Sequence, residues 1–321
     1  MKPSVPDSFP SQDTMSASAS ASLLRASSCA VVFGASQGLG AALAVRVPRR
    51  TGCGVVLSSR NAARLDELAG AINAEHSGAE RAVAVAVAAP ADVRSEQDAL
   101  RVIALAEARF GGVRDVYFCT GVNHDAALAE WESCEAFRDV VLTNLVDARH
   151  AAFAALPHLA RSRGTFVVVS SAAGVLGCVP GGSAYAASKA GLDALFSSLA
   201  VEFRQLGVKT LVVEPGRFFA DDGAPRQVLG RSAGRYTGGG GARRGAPASE
   251  VAERVLAAVA AGREGRLWDR SRASVWRDQT LKLFAPSAFE RRAMRTRPGK
   301  LPTAVLPERD VTVQGRVSSR S

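Results

Sequence analysis

Tyr185 and Lys189, four residues apart in Ser183-Ala184-Tyr185-Ala186-Ala187-Ser188-Lys189, are side chains that could do proton chemistry. The run continues through Leu192, Leu195, Leu199 and Phe203, apolar positions at helical spacing, which predicts one long helix with a buried stripe. On a helix, positions i and i+4 lie over one another on the same face. An ammonium held near a phenol favours the phenolate. A phenol tuned in this way can pass a proton to or from a substrate oxygen. The pair taken alone is weak evidence. Its surroundings decide.

A phosphate-binding pattern lies far upstream. Gly34-Ala35-Ser36-Gln37-Gly38-Leu39-Gly40 falls where a short apolar run, Cys29 to Phe33, hands over to a helical stretch. Missing β-carbons let the turn close and let backbone N–H groups approach a pyrophosphate at the positive helix end. Glycines here could form only a tight turn, but in a first strand–helix unit a dinucleotide is the better reading. The second strand ends Leu57-Ser58-Ser59-Arg60-Asn61. A cofactor lacking the 2′-phosphate usually meets an acid at this point. This chain instead offers Arg60, suited to a phosphate through charge-assisted bonds. That favours NADP(H) over NAD(H), against the alternative of an Arg that merely faces solvent.

The elements that must position these groups alternate regularly. Strands are predicted at 29–33, 54–57, 82–88, 113–119, 165–169 and 210–213. Helices are predicted from Leu39 to an end at Pro48, from Asn61, after the capping signal Ser95-x-x-Asp98, from about Glu135 to Arg161, across Tyr185, and from Glu250 to Ala261. The third strand reads as buried on both faces, and 265–268 as an edge strand. Strands alternating with helices of this length imply right-handed crossovers and an α/β fold with a doubly wound parallel sheet, Rossmann-like. The reading is a single domain over 27–272 with flexible extensions: a disordered leader at 1–26, an apolar-basic helical segment at 273–296 and a disordered basic tail at 297–321. Within the domain, 221–248 is a glycine-rich, lid-like loop.

With Asp92-Val93 after the third strand, Asn144, Ser170-Ser171, and Pro215-Gly216 after the sixth, the chain from about 28 to 270 resembles the short-chain dehydrogenase/reductase family. The resemblance implies an NADP-dependent oxidoreductase, such as a carbonyl reductase, interconverting a carbonyl and an alcohol by hydride transfer. Tyr185 would be the acid/base, and Lys189 would lower its pKa and bond the nicotinamide ribose. Ser171 would hold the substrate oxygen, with Ser170 as the fallback, and Asn144 would anchor a water in the proton relay. Cofactor contacts are implied for Gly34, Ser36, Gln37, Gly38, Leu39, Gly40, Arg60, Asp92, Val93, Gly121, Tyr185, Lys189, Pro215 and Gly216. The chain departs from the family pattern in three places. Phe33 and Phe118-Cys119-Thr120-Gly121 replace a polar link between two strands, which reads as apolar packing in place of a hydrogen bond. Gln37 stands where a basic residue often supports NADP. Ala220 replaces the usual Thr beyond Pro-Gly.

Composition narrows the remaining classes. Hydrophobic residues make up 47% and aromatics only 6%, so the core is mostly aliphatic and hints at a lipophilic substrate. The five cysteines are odd in number and widely spaced, which reads as buried free thiols in a reducing, cytoplasmic setting. No metal is expected, since the four histidines show no ligand spacing with them. From Arg291 onward eight Arg/Lys face two acids, so +6 of the formal +10 charge sits in the tail. With no basic stripe and no recognition module, nucleic acid is not expected as a partner. The expected partners are a small-molecule carbonyl or alcohol substrate and further copies of the chain, as a homodimer or homotetramer on the family pattern. The segment 273–294 reads as docked on the domain, with weak peripheral membrane contact as the sharper alternative. A rival to the enzyme reading is a catalytically inactive NADP-binding regulatory protein of the same fold.

Overall fold

The computed structural model describes residues 28–77, 85–124, 128, 134–177, 181–216, 218–220, 228–229 and 245–268, with single positions 282, 285 and 288. The leader, the tail, nearly all of 273–296 and most of the 221–248 loop lie outside the described residues.

The central sheet joins β1 (Cys29–Phe33), β2 (Gly54–Ser59), β3 (Ala86–Pro90), β4 (Val113–Phe118), β6 (Thr165–Val169), β7 (Lys209–Glu214) and β11 (Gly265–Trp268). Their order is β11-β7-β6-β4-β1-β2-β3, every pairing parallel. Two-residue strands pair separately: β5 (Asn123–His124) with β9 (Val228–Leu229), and β8 (Phe218–Phe219) with β10 (Ala246–Pro247). The helices are α1 (Gly38–Thr51), α2 (Ala62–His76), α3 (Glu96–Phe110), α4 (Glu135–Val141), α5 (Asp147–Ser162), α6 (Ala172–Leu176), α7 (Ser183–Gln205) and α8 (Ala248–Ala260).

Side-chain alternation along the strands feeds two cores, one on each face of the sheet. Cys29, Val31 and Phe33 of β1 pack with α3, α5 and α7. Ala30 and Val32 pack with α1, α2 and α8. Central strands buried on both faces need continuous apolar runs, which is why Cys29–Phe33 and Thr165–Val169 are wholly buried.

Four expectations are corrected. Pro48 does not end α1; it is buried inside the helix, which runs three residues further to Thr51 and closes on left-handed Gly52 (φ 68°). The proline removes one amide from the helical ladder, but Leu39, Leu43, Val47 and Pro48 hold that turn against the core. The third strand is described over Ala86–Pro90, and as an edge strand it is only partly buried, with Pro90 exposed. The single helix expected over 135–161 is interrupted by a π turn, Leu142–Val146. Cys29 and Cys53 are buried free thiols as expected, but Cys119 is only half-buried and Cys134 is exposed.

Candidate active site

Strand order reverses between β1 and β4, and the candidate residues follow the carboxyl ends of β1, β2, β3, β4, β6 and β7. Ligands of open parallel sheets bind in that crevice. Gly34 turns there with φ 81°, and a β-carbon on it would stand 2.8 Å from the Thr120 amide nitrogen. One on Gly40 would fall 2.2 Å from the Gly34 carbonyl oxygen, so only glycine lets α1 start this close to the turn. Gln37 gives α1 no side-chain cap, and its first turn holds no acid. The uncapped amides and the helix dipole suit an anion. Ser36 is half-buried, Gln37 exposed, and Leu39 buried beneath the turn. The loop after β7, with Pro215 and Gly216 (φ 64°), brings Phe218 within 3.8 Å of where a β-carbon on Gly38 would sit. This cradle fits the pyrophosphate of a dinucleotide.

Arg60 is exposed at the end of β2. Asp92 accepts from Arg94 Nε at 2.9 Å and from the Arg94 amide at 3.1 Å. That guanidinium, with a smaller contribution from Arg60, holds the Asp92 carboxyl below its ordinary range. The Asp92 amide donates to Asp98 Oδ2 at 2.8 Å, while Ser95 accepts from the Asp98 amide at 3.1 Å. The expected capping box is therefore half-made, its acid turned towards Asp92. Val93 is buried and its carbonyl accepts from His150 Nδ1 at 3.3 Å.

Lys189 is 3% exposed and its Nζ donates to the Val169 carbonyl at 2.8 Å. The same nitrogen lies 5.9 Å from the ring centroid of half-buried Tyr185. Burial pulls the Lys189 pKa down, while Tyr185, Asp193, Glu214 and Cys119 favour its ammonium. Ser171 caps α6, its Oγ accepting from the Ala173 amide at 3.2 Å. A β-carbon on Gly174 would lie 2.6 Å from the Lys189 carbonyl carbon, so the glycine lets α6 pack directly on α7 at the Tyr185–Lys189 turn. Ser171 is half-buried; Ser170 is 2% exposed, its Oγ without a hydrogen-bond partner among the described residues.

Asn144 sits in the π turn, fully buried. Its Nδ2 donates to the Val122 carbonyl and to Ser188 Oγ, both at 2.9 Å, and its Oδ1 accepts from the Val122 amide at 2.8 Å. Ser188 Oγ in turn donates to the Tyr185 carbonyl at 2.8 Å. Asn144 thus ties the segment after β4 to α7. Gly121 lies between them: a β-carbon there would be 3.4 Å from Asn144 Oδ1 and 3.6 Å from Lys189 Nζ. Both side-chain amide protons of Asn144 are engaged by protein. Phe33 and Phe118, neighbours across β1 and β4, pack with ring centroids 6.4 Å apart. A buried aromatic pair contributes about 0.5–1.5 kcal/mol beyond its area, against about 1 kcal/mol net for a hydrogen bond. The exchange leaves that strand junction no weaker.

The profile described as short chain dehydrogenase matches residues 28–223. The chain belongs to the short-chain dehydrogenase family. This member is 32% identical over 190 residues to L-fucose dehydrogenase of Mus musculus, a match covering 59% of this chain and 64% of that protein. The chain therefore spans slightly under two thirds of that relative's length. A dehydrogenase/reductase from Sinorhizobium meliloti 1021 superposes with a TM-score of 0.62 at 27% identity, covering 77% of this chain and 97% of that one. The alcohol dehydrogenase of the archaeon Thermococcus sibiricus, complexed with 5-hydroxy-NADP, superposes at TM-score 0.63 and 24% identity over 76% and 97%, a likeness of fold alone.

Sequence reasoning missed Ser188 and the Val122 backbone, which fix Asn144, and Phe218, which reaches the glycine turn. It also missed Asp193, Glu214 and Arg266 behind Lys189. Only Asp193 carried a signal, standing four residues beyond Lys189 on the same helix. Among the described residues, no cluster of three or more His, Cys, Asp or Glu side chains is placed to hold a metal. None of the described helices is long and apolar enough to cross a membrane.

Proposed function

We propose that this family member is an NADP(H)-dependent oxidoreductase interconverting a carbonyl and an alcohol, with Tyr185 as the acid/base. The observation that carries the reading is the buried Lys189 ammonium 5.9 Å from the Tyr185 ring, on a turn that Gly174 and Asn144 lock against Ser171 and Gly121. The bound nicotinamide supplies a hydride to the carbonyl carbon, or receives one from the alcohol. Tyr185 gives its hydroxyl proton to the substrate oxygen during reduction and takes it back during oxidation. Lys189 stabilises the resulting phenolate. Half-exposed Ser171, rather than buried Ser170, polarises the substrate oxygen, and Asn144 holds the backbone through which the proton is replaced. The glycine turn takes the pyrophosphate, Asp92 and Val93 the adenine side, Pro215 and Gly216 the nicotinamide side. Arg60 supplies the preference for a 2′-phosphate.

Half-buried Val175 and Leu176, beside Ser171, support a lipophilic substrate. Lys282 comes within 3.5 Å of where a β-carbon on Gly177 would sit, which places that one side chain near the same rim. The deciding experiment follows NADPH oxidation across ketones from small ones to steroids and 3-ketosphinganine, with L-fucose tested in the oxidative direction. Tyr185→Phe is expected to abolish turnover while leaving NADPH affinity nearly unchanged. Undiminished turnover in that variant would sink the mechanism. Tight NADPH binding with no turnover on any substrate would favour the regulatory protein, whose one supporting feature is the altered 118–121 segment.

A further inference from the structure

A second set of charges stands behind Lys189. Asp193 follows it by one turn on the same face of α7. Glu214 ends β7, directly before Pro215, on the side of the strand that also carries Val212 towards α7. Arg266 comes from the edge strand β11, whose parallel register sets Arg266 beside Val212 and Trp268 beside Glu214. From there Arg266 Nη1 donates to Asp193 Oδ2 at 2.8 Å and to Glu214 Oε1 at 2.7 Å. Its guanidinium carbon lies 5.4 Å from the Trp268 ring centroid.

One guanidinium thus serves two carboxylates that are 7% and 1% exposed. Asp193 Oδ1 and Glu214 Oε2 are buried with no hydrogen-bond partner among the described residues. With both carboxylates ionised the trio carries one negative charge in excess, and Lys189 is the second cation on which both carboxylates act. Charged and titratable groups bear on Lys189 from three elements: Tyr185 and Asp193 on α7, Glu214 on β7, and Cys119 beyond β4, with Arg266 behind the carboxylates.

We propose that Asp193, Glu214 and Arg266 form a positioning network whose field acts on the Tyr185–Lys189 pair as a whole, and so sets where on the pH scale that pair exchanges its protons. The inference rests on the reading of Tyr185 and Lys189 as an acid/base pair. None of the three touches the reacting atoms; their field acts on the Tyr185–Lys189 pair as one coupled unit. Burial and the neighbouring Asp193 push the Glu214 carboxyl up to about 7, against the pull of Arg266 and Lys189. The network therefore gains a negative charge as pH rises through neutrality, which strengthens the ammonium over the range where the enzyme would work.

The sign of each substitution follows from charge. Removing a carboxylate lowers the potential holding protons on the Tyr185–Lys189 pair, so both of its protonation steps move to lower pH. Removing the guanidinium moves them to higher pH. A network that merely packed β11 against α7 would give no such opposition. The chain holds three tyrosines, so the phenolate absorbance of the full-length protein, minus that of Tyr185→Phe, isolates Tyr185 without cofactor or substrate.

The expected result is a Tyr185 midpoint lowered by about half a pH unit or more in Glu214→Gln and Asp193→Asn. That is roughly a threefold change in phenolate at fixed pH. The midpoint rises in Arg266→Gln and stays near wild type in the charge-conserving Arg266→Lys. If Arg266→Gln fails to fold, leaving two carboxylates uncompensated, the two carboxylate variants decide the matter. Midpoints unmoved in both, or a shift of the same sign in Arg266→Gln, would overturn the network. Midpoints that move in a protein with no turnover uphold the network while the enzymatic reading fails. Turnover lost in Tyr185→Phe with unmoved midpoints does the reverse.

Discussion

At the scale of single residues, the site is made of close approaches that only certain side chains permit. Gly40 and Gly174 each bring backbone to where a β-carbon would collide with backbone, at 2.2 Å and 2.6 Å. Those contacts fix the phosphate turn and the Ser171 segment before any ligand arrives. Arg60 is different in kind, an exposed side chain at the end of β2, and the proposed preference for NADP(H) gives it a role only through the ligand it would meet. A 2′-phosphate offers it paired charge-assisted bonds, each about twice as strong as a neutral one. Arg60→Asp exchanges that attraction for repulsion and supplies an acceptor for ribose hydroxyls. The ratio of kcat/KM for NADPH over NADH is expected to fall by about 100-fold or more, since 1.4 kcal/mol is tenfold and both terms change sign. An unchanged ratio would remove Arg60 from the cofactor site. Tyr185, Lys189 and the glycines were legible in the sequence because their chemistry depends on local spacing. The Asp193–Glu214–Arg266 trio was not, because its partners are 73 and 52 residues apart and meet only through the register of β11 on β7.

At the scale of elements, strands buried on both faces declared themselves, because burial demands an uninterrupted apolar run; β1 and β6 match their expected bounds. The elements that differed are those shaped by tertiary contact. Pro48 is tolerated because its turn is packed, and the two-residue strands exist only through partners far along the chain. The π turn has no sequence signature at all, yet it sets Asn144 against Val122 and Ser188. It also delivers Asp147, 2% exposed, into the start of α5 with Oδ2 lacking a hydrogen-bond partner among the described residues. Burial pushes the Asp147 carboxyl up to about 6, although His150, 3.9 Å away, pulls it down. A carboxyl whose folded pKa is raised favours folding while it is protonated. That contribution is complete below about pH 4 and is lost as pH rises through about 6. Asp147→Asn is therefore expected to stabilise the fold at pH 8 by on the order of 2 kcal/mol and to change little at pH 4. Urea unfolding at the two pH values checks this. Equal effects at both, or destabilisation at pH 8, would show that the ionised carboxylate has a partner after all.

At the scale of the whole molecule, the sheet's carboxyl edge gathers the candidate site from six loops, while the outer faces of α5 and α7 carry exposed apolar side chains. Along the π turn and α5, Leu142, Val146, Arg149 and Phe153 succeed one another at four, three and four residues, a single outward stripe. Phe153 is 51% exposed, and Val201 on neighbouring α7 is 59% exposed. Arg149 lies over the Phe153 ring at 5.0 Å while paired to Glu96, so the stripe is apolar along its centre and charged at its edge. An exposed apolar stripe with charged edges is a surface that a two-fold partner of the same chain could cover, in line with the homodimer or homotetramer expected from the sequence. Pairing there would brace from outside the π turn and α7, which carry Asn144 and Tyr185. Phe153→Glu places like charges face to face across the two-fold. Sedimentation is expected to give a dimer or tetramer for the wild-type chain and a species of half the mass or less for the variant, with the far-UV spectrum unchanged. Turnover should fall along with the mass, if bracing matters to Asn144. A wild-type chain sedimenting as a monomer would refute the assembly outright. A variant of unchanged mass would move the interface off α5.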